Sequence, residues 1–402
     1  MKKSLGPSRR ALGPSGRPGR PGRLQPPLVA AGVALGLAVV ATLAAAERVS
    51  IGPFVALGTE SSRRGNYAEP GGGPARRGRV RGLAPTSAPK PQWTLQLRQR
   101  NLAAPVLAAD GTLYVAGDRG VSAIDSAGKL LWFARAGKVG QSPTLEPGGG
   151  LLVVAGTRLL RVTGRDRWSE LESGLVAAGP PLRLSGGAIA IASPAGRVHV
   201  LDPAGVHLAR TPLPPSRRYR MAQLEGGSFV VSGPPRRMSV VSVRGGLRGR
   251  FEQPHDVVAG PVIGASSTVW TVGDNGVLLG QSPRGRQRAR VPLGPGRIQA
   301  PPAVGRDGLL RVGAEPPVLL GLGPGGRRRF GLTLDGRPGP ITLDERDAAL
   351  LVTDRGYLYV VEPDGSLRFR HGVHARGAPR PVLGADGRVF IADRAGRVTA
   401  WR

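Results

Sequence analysis

The residue types that most often carry catalysis or bind metals are few and scattered in this sequence of 402 residues. Cysteine is absent, which excludes a disulfide, a thiolate zinc site, a cysteine nucleophile and a lipidated cysteine. Of the five histidines, only His371 and His374 lie close together, in a His-Gly-Val-His run without a third ligand nearby. Because a zinc site usually takes three or four protein ligands, we expect a solvated loop at this position.

The aspartates are more numerous, but most of them stand next to a glycine at the end of a short apolar run. This pattern is typical of hairpin turns, so we predict a structural role rather than acid–base chemistry. The clearest predicted turn residues are Asp110, Gly111, Asp118, Gly120, Asp354, Gly356, Asp386, Gly387, Asp393 and Gly396. We predict no catalytic residue, no metal ligand and no cofactor.

These turns divide the sequence into an internal repeat. The start of each unit is marked by proline at Pro105, Pro143, Pro181, Pro261, Pro302, Pro340 and Pro381. The successive steps are 38, 38, 80, 41, 38 and 41 residues, and the step of 80 spans two units, which gives eight units of about 39 residues. Each clear unit holds four apolar runs of strand length. The sequence therefore predicts an all-β, eight-bladed propeller of four-stranded blades.

The two ends of the repeat region indicate how the ring closes. The last unit ends at Trp401 and Arg402 after three strands, whereas a single strand from Trp93 to Leu97 precedes the first unit. We predict that this strand completes the last blade, because closure removes the free strand edges of an open array. The alternative is an additional cap strand beside the first unit.

The residues before the propeller form three segments of different composition. Residues 1–27 carry seven basic residues and no acidic one, which predicts a disordered, cytoplasmic tail. From Leu28 to Ala46 the chain runs 19 residues without a charge. As a helix this segment would be about 28 Å long, close to the thickness of a membrane's hydrocarbon core. Residues 47–91 are rich in Gly, Pro and Arg and are predicted to be a linker, followed by the propeller at 92–402.

The charge-free segment has two interpretations. An uncleaved anchor would leave the basic tail inside and place the propeller in the periplasm, on the outer side of the bacterial inner membrane. A signal peptide cleaved after Ala46 would release an exported propeller. Both interpretations place the propeller outside the cytoplasm, so nucleic acid is not an expected partner.

The formal net charge of +31 favours anionic partners. Arginines are concentrated near predicted strand ends, where loops of one face would form an anion-binding rim. The residues of this predicted rim are Arg217, Arg218, Arg220, Arg327, Arg328 and Arg329. The alternative is solubility combined with the codon usage of a GC-rich genome, since 52 of the 57 basic residues are arginine.

The first unit resembles the quinoprotein-type repeat, also called the PQQ-like repeat. The stretch from Asp110 to Gly120 matches the pattern D-G-x-h-Y-V-A-x-D-x-G, and Asp125, Gly128 and Trp132 match the positions that follow. The resemblance covers about 310 residues and implies that one aromatic residue of each unit packs between blades. The aromatic residues given this role are Trp93, Trp132, Trp168, Phe330, Phe369 and Trp401.

The family that the repeat resembles includes PQQ-dependent dehydrogenases and non-catalytic eight-bladed scaffolds, such as the lipoprotein of the outer-membrane β-barrel assembly machinery. The enzymes typically use a vicinal cysteine disulfide at the quinone, which this sequence lacks. We therefore predict a monomeric, non-enzymatic binding or scaffold module of the bacterial cell envelope. Its expected partner is an envelope protein or an anionic envelope polymer. The alternatives are a degenerate quinoprotein-type dehydrogenase and the sensor head of a single-span membrane protein.

Overall fold

The computed structural model describes residues 71–402 except 147–149, 157, 166, 173–174, 234–235, 296–297 and 299. The predicted tail at 1–27 and the predicted anchor or signal segment from Leu28 to Ala46 lie outside the described residues. Within the described part, no helix has the length and apolar character that crossing a membrane requires.

The described chain forms eight four-stranded antiparallel sheets, each of which is one blade of a propeller. Blades 1 to 4 consist of β2 (Val106–Leu107), β3 (Leu113–Ala116), β4 (Val121–Ile124) and β5 (Leu130–Ala134); β6 (Thr144–Leu145), β7 (Leu151–Ala155), β8 (Arg158–Gly164) and β9 (Arg167–Glu172); β10 (Leu182–Arg183), β11 (Ile189–Ser193), β12 (Arg197–Leu201) and β13 (His207–Pro212); and β14 (Arg220–Gln223), β15 (Phe229–Gly233), β16 (Arg237–Val241) and β17 (Leu247–Glu252). Blade 5 consists of β18 (Val257–Ile263), β19 (Val269–Gly273), β20 (Val277–Gln281) and β21 (Gln287–Pro292), and a 3-10 turn at Ala265–Ser267 joins its first two strands; blade 6 consists of β22 (Ala303–Val304), β23 (Leu310–Ala314), β24 (Val318–Leu322) and β25 (Arg328–Thr333). Blade 7 consists of β26 (Thr342–Leu343), β27 (Ala349–Val352), β28 (Tyr357–Val361) and β29 (Leu367–Gly372). Blade 8 consists of β30 (Val382–Leu383), β31 (Val389–Ala392), β32 (Arg397–Trp401) and, from the start of the propeller, β1 (Pro91–Gln96).

Burial explains the composition of the strands. The middle strands of a blade are covered on both sides by neighbouring blades, so they are mostly apolar, as in β11, where all five residues are buried. The fourth strand lies outermost and alternates between more and less exposed residues, as in β13. The apolar core therefore lies between the blades, and the first strand of each blade lies nearest the central channel.

The meander gives the propeller two different faces. The turn between the first and second strands, such as Asp110–Gly111, and the turn between the third and fourth strands lie on one face, which we call the turn face. The turn between the second and third strands and the connection to the next blade lie on the opposite face, which we call the connection face. Successive turns alternate between the faces because neighbouring strands are antiparallel.

The ring closes as predicted. Strand β1 pairs with β32 over a register that runs from Pro91 opposite Trp401 to Gln96 opposite Arg397. Beyond it, the amide of Lys90 donates to the carbonyl of Arg402 at 2.6 Å, and the amide of Arg402 donates back at 2.9 Å. The last blade thus contains one strand from the start of the propeller sequence and three from its end.

The structure differs from the predicted linker in its last part. Residues 71–90, here called the strap, lie on the turn face against the ends of the first strands of successive blades. The amides of Gln223, Ile263 and Val304 donate to carbonyls of the strap at 2.8 to 3.0 Å. In blade 7, the amide of Leu343 donates to Gly78, and the amide of Val80 donates to Leu343, both at 2.9 Å.

The strap follows a period-two pattern that fits its position. Gly78, Val80, Gly82 and Ala84 are buried against the blades, and the residues between them are half-buried or exposed. A β-carbon at Gly78 would lie 2.9 Å from that of Ala303, and one at Gly82 would lie 2.4 Å from the carbonyl of Gly384. The small residues thus allow the strap backbone to contact the inner strands.

Blades dock through the outermost strand of one blade and the last turn of the next. In six interfaces, a glycine of that turn has a positive φ and comes so close that an added β-carbon would collide with the outer strand of the preceding blade. The pairs are Gly128 with Trp93, Gly205 with Leu171, Gly245 with Ala209, Gly285 with Phe251, Gly326 with Val291 and Gly365 with Phe330, at 2.0 to 2.7 Å.

The other aromatic residues expected between blades have different environments. Trp132 and Phe369 are half-buried against the core, and Trp401 is buried on the third strand of blade 8. Trp168 is 40% exposed, and the guanidinium of Arg158 lies 5.0 Å from its ring centre. Because Leu171 occupies the docking position of blade 2, the structure places Trp168 outside the inter-blade contact.

Candidate functional site

The predicted turn aspartates are engaged by the backbone. Asp110 accepts a hydrogen bond from the amide of Thr112 at 2.9 Å, and Asp393 accepts from the amides of Ala395 and Arg397. Asp118, Asp354 and Asp386 likewise accept hydrogen bonds from backbone amides, either of the turn itself or of the connection beside it. The predicted turn glycines all have a positive φ: Gly111, Gly120, Gly356, Gly387 and Gly396. These carboxylates stabilise turns, as the sequence pattern indicates.

The histidine pair of the sequence is divided between two environments. His371 lies on β29, and its ring meets the ring of Trp401 edge-on at 5.5 Å. His374 lies in the following loop with a φ of 50°. The described residues contain no group of three or more His, Asp or Glu side chains that could hold a metal ion.

The predicted arginine rim is divided between the two faces. Arg217 and Arg218 are exposed in the connection between β13 and β14, and Arg220 begins β14, all on the connection face. The other three members, Arg327, Arg328 and Arg329, are exposed at the β24–β25 turn on the turn face and at the start of β25. The predicted rim therefore does not form a single surface, because a connection between blades and a last turn lie at opposite ends of the strands.

The first of these arginine groups lies where blade 4 meets its two neighbours, blades 3 and 5. Arg220 donates to the carbonyl of Val257 at 3.3 Å, and burial lowers its pKa, with the charge of Arg218 adding to the effect. The hydroxyl of Tyr219 donates to the carbonyl of Pro214, and burial raises the pKa of this phenol to about 12. The phenol therefore stays neutral well above physiological pH, and its hydrogen bond holds the connection between β13 and β14.

The strap contributes arginines that the sequence prediction did not include in the rim. Arg77 donates to the carbonyl of Ile263 at 2.7 Å and to the carboxylate of Glu225 at 3.1 Å. Burial lowers the pKa of Arg79, Asp347 opposes this shift, and Arg306 adds to it. Arginines of the strap thus lie close to acidic residues of the first turns on the turn face.

An ion pair below the strap is more deeply buried. The side chain of Arg311 is fully buried and donates twice to the carboxylate of Asp307, both times at 2.9 Å, while the Asp307 side chain is 33% exposed. The carboxylate of Asp347 accepts the amides of Arg306 and Asp307 at 2.7 and 3.1 Å. This network joins the first turns of blades 6 and 7.

A second candidate surface lies on the outside of the propeller, at β5 of blade 1. A groove of about 590 Å³ is lined by this strand together with Arg135 and Arg165. Leu130 and Leu131 are 42% and 48% exposed there, and Trp132 and Phe133 are half-buried. The volume falls in the range of sites that bind small molecules or peptide segments.

The groove has a structural cause in blade 2. In the six interfaces described above, the last turn of one blade covers the outer strand of the preceding blade. In blade 2, only two residues, 165–166, separate β8 from β9, whereas the corresponding turns of blades 1 and 3 to 7 have five. Among the described residues other than its chain neighbours, Arg167 alone has atoms within 4 Å of a β-carbon at Gly164. No glycine of this turn covers β5, so its apolar side chains stay accessible.

The repeated blades, the strand that completes the last blade and the docking residues define a PQQ-like β-propeller. Residues 76–282 match the family model described as "Outer membrane protein assembly factor BamB", which is half of the chain, and the protein belongs to this family. The match begins within the strap. No curated protein sequence matches the chain significantly.

Solved structures share the fold at low sequence identity. BamB from Moraxella catarrhalis is 15% identical, with a TM-score of 0.59, over 79% of this chain and 98% of that one. A europium-containing methanol dehydrogenase is 12% identical, with a TM-score of 0.61, over 84% of this chain and 90% of the dehydrogenase. A catalytically inactive virginiamycin B lyase from Staphylococcus aureus, solved with quinupristin, is 12% identical, with a TM-score of 0.52, over 77% of this chain and 98% of the lyase. These similarities establish the fold and include both enzymes and a protein assembly factor.

Proposed function

We propose that the protein is a non-catalytic binding and scaffold module of the bacterial cell envelope, with its propeller outside the cytoplasm. The observation that carries this proposal is the strap. An enzyme that uses the central channel needs an accessible mouth, whereas here polypeptide backbone lies across the inner strands of blades 4 to 7 on the turn face. Membership of the BamB family supports the same conclusion.

The alternative with a specific observation in its favour is a degenerate quinoprotein-type dehydrogenase, since a methanol dehydrogenase shares the fold. The connection face is not crossed by the strap and would have to admit its substrate. The charged side chains at the opposite mouth do not favour it, because Arg311 is paired with Asp307 and the carboxylate of Asp347 accepts two backbone amides. We therefore favour binding through the outer surfaces.

The function is tested by cross-linking intact bacterial cells that produce the full-length chain. We expect envelope proteins to co-purify, and we expect them to be lost when residues 1–46 are deleted and the chain stays in the cytoplasm. Mass spectrometry of the washed complexes measures both. The proposal is contradicted if the purified chain, supplied with PQQ and Ca²⁺, reduces an electron acceptor when an alcohol or a sugar is added.

The location of the propeller is tested separately by labelling a single introduced cysteine, because the chain has no cysteine of its own. Val206 is 62% exposed on the turn face, so Val206→Cys provides a single accessible thiol. We expect a membrane-impermeant maleimide to label this variant in spheroplasts as completely as in lysed cells. Labelling only after lysis would place the propeller in the cytoplasm, and the unchanged chain is the control without a thiol.

A further inference from the structure

We propose that the groove at β5 binds an extended segment of a partner protein as an added β-strand, with apolar residues in the middle of the segment and acidic residues at its ends. This inference rests on the proposed binding function, and it names the surface and the chemistry of the partner. Three features of the groove support it: an open strand edge, an accessible apolar surface and positive charge around it.

The open edge is that of β5 itself. This strand pairs with β4 on one side and is the last strand of its sheet, so backbone groups of its other edge are available to a further strand. Exposed edges of this kind are usually protected by charged side chains. Among the outermost strands that the structure describes, β13, β17, β21, β25 and β29 each carry at least one arginine, and β9 carries an arginine and two glutamates.

Strand β5 lacks this protection. All five of its residues, Leu-Leu-Trp-Phe-Ala, are apolar. Strand β1 is also uncharged, but polar residues make up half of it, and its Trp93 is covered by the turn glycine of blade 1. The apolar edge of β5 is therefore a template for pairing with another chain, by the strand addition that many peptide-binding domains use.

The apolar surface matches a short strand in size. Five residues of β-strand extend about 17 Å, which sets the length of the segment that can pair with β5. Its side chains would lie on Leu130 and Leu131, which are nearly half exposed, and beside Trp132 and Phe133. The middle of the bound segment should therefore be apolar.

The charge around the groove indicates which residues the two ends of the bound segment should carry. Arg135 follows β5 toward the connection face, and Lys129 precedes it on the turn face, where Arg165 also lines the groove. All three side chains are exposed. Acidic residues at both ends of the segment complement this pattern. A second copy of the chain is disfavoured, because pairing two β5 edges would bring the same basic residues together.

The test uses a defined probe and the full-length chain in mild detergent. The probe is a fluorescent nine-residue peptide of five alternating valines and threonines with two glutamates at each end. A matched peptide carries lysines in place of the glutamates. By fluorescence anisotropy, we expect the acidic peptide to bind at least about ten-fold more tightly than the basic one.

Two pairs of variants locate the site. Leu131→Glu and Arg165→Glu should each weaken binding of the acidic peptide at least about ten-fold, and Arg165→Glu should also reduce the preference for it over the basic peptide. Leu208→Glu and Arg210→Glu change exposed residues of the same types on β13 and should leave binding unchanged. Circular dichroism confirms that each variant is folded.

The proposal is overturned if neither peptide binds, if both bind equally, or if the β13 variants weaken binding as much as the β5 variants. A dimer in analytical ultracentrifugation that Leu131→Glu dissociates would assign the groove to a second copy and also overturn it. If Leu131→Glu still cross-links to the same envelope proteins in cells, the inference about the groove fails while the proposed function stands.

Discussion

Trp93→Ala should lower the free energy of unfolding by about 2–4 kcal/mol, somewhat less than the cost of truncating a fully buried tryptophan because the side chain is only half-buried. The indole packs on Gly128 of blade 1 and lies 6.0 Å from the ring of Phe390, and its Nε1 donates to the carbonyl of Ser126 at 3.1 Å. It therefore joins the last blade to the first, and its loss weakens the closure of the ring. Chemical denaturation measures the change.

The matched control is Trp168→Ala, because Trp168 is also a tryptophan of an outermost strand. It is 40% exposed and contacts Arg158 instead of a turn glycine. Its removal should cost less than about 1 kcal/mol, as expected for an exposed cation–π contact. Equal costs for the two substitutions would show that Trp93 has no special role in closing the ring.

Asp307→Ala should destabilise the protein by about 3–5 kcal/mol, the range found when one partner of a buried ion pair is removed. The substitution leaves the fully buried guanidinium of Arg311 without its carboxylate. Arg311→Met should cost less, because the carboxylate of Asp307 is 33% exposed and can be solvated, and methionine fills part of the vacated volume. Denaturant unfolding of both variants gives the order of the two costs.

Asp386→Ala is the control for the hydrogen bond that Asp307 also accepts within its turn. Asp386 occupies the corresponding turn of blade 8, where it accepts the amide of Arg388 at 3.1 Å and forms an ion pair with the same residue. The side chain of that arginine is 20% exposed, so water can replace the carboxylate. Its removal should cost about 1 kcal/mol, a typical value for a single hydrogen bond. If Arg311→Met were more destabilising than Asp307→Ala, the stated role of burial would be incorrect.

The groove at β5 could be only partly predicted from the sequence. The uncharged run from Leu130 to Ala134 is visible in the sequence, where it predicts an ordinary strand with a docking aromatic residue at Trp132. It stays accessible because the turn between β8 and β9 of blade 2 is short. Predicting this effect requires knowing which turn faces which strand. Packing between neighbouring blades is a tertiary property that repeat spacing does not report.

The strap could not be recognised as part of the propeller by local pattern alone. Its alternation of small and longer residues from Gly78 to Ala84 covers only a few positions, and its partners are remote in sequence. Ile263 is 186 residues from Arg77, and Asp344 is 260 residues from Ala84. A Gly- and Pro-rich segment in isolation has no hydrogen bonds that stabilise an extended conformation. In the propeller, the ends of the inner strands supply these hydrogen-bond partners.

The architecture follows from the amino-acid sequence alone: eight units, four strands in each, turns at Asp-Gly positions and a last blade completed by the strand that begins the propeller. These features depend on strand length, turn chemistry and spacing, which are local and repeat along the chain. Which surfaces are available to a partner depends on the tertiary structure. It separated Arg217 and Arg218 from Arg327, placed the strap on the turn face and left β5 accessible, because each of these outcomes depends on contacts between segments far apart in the sequence.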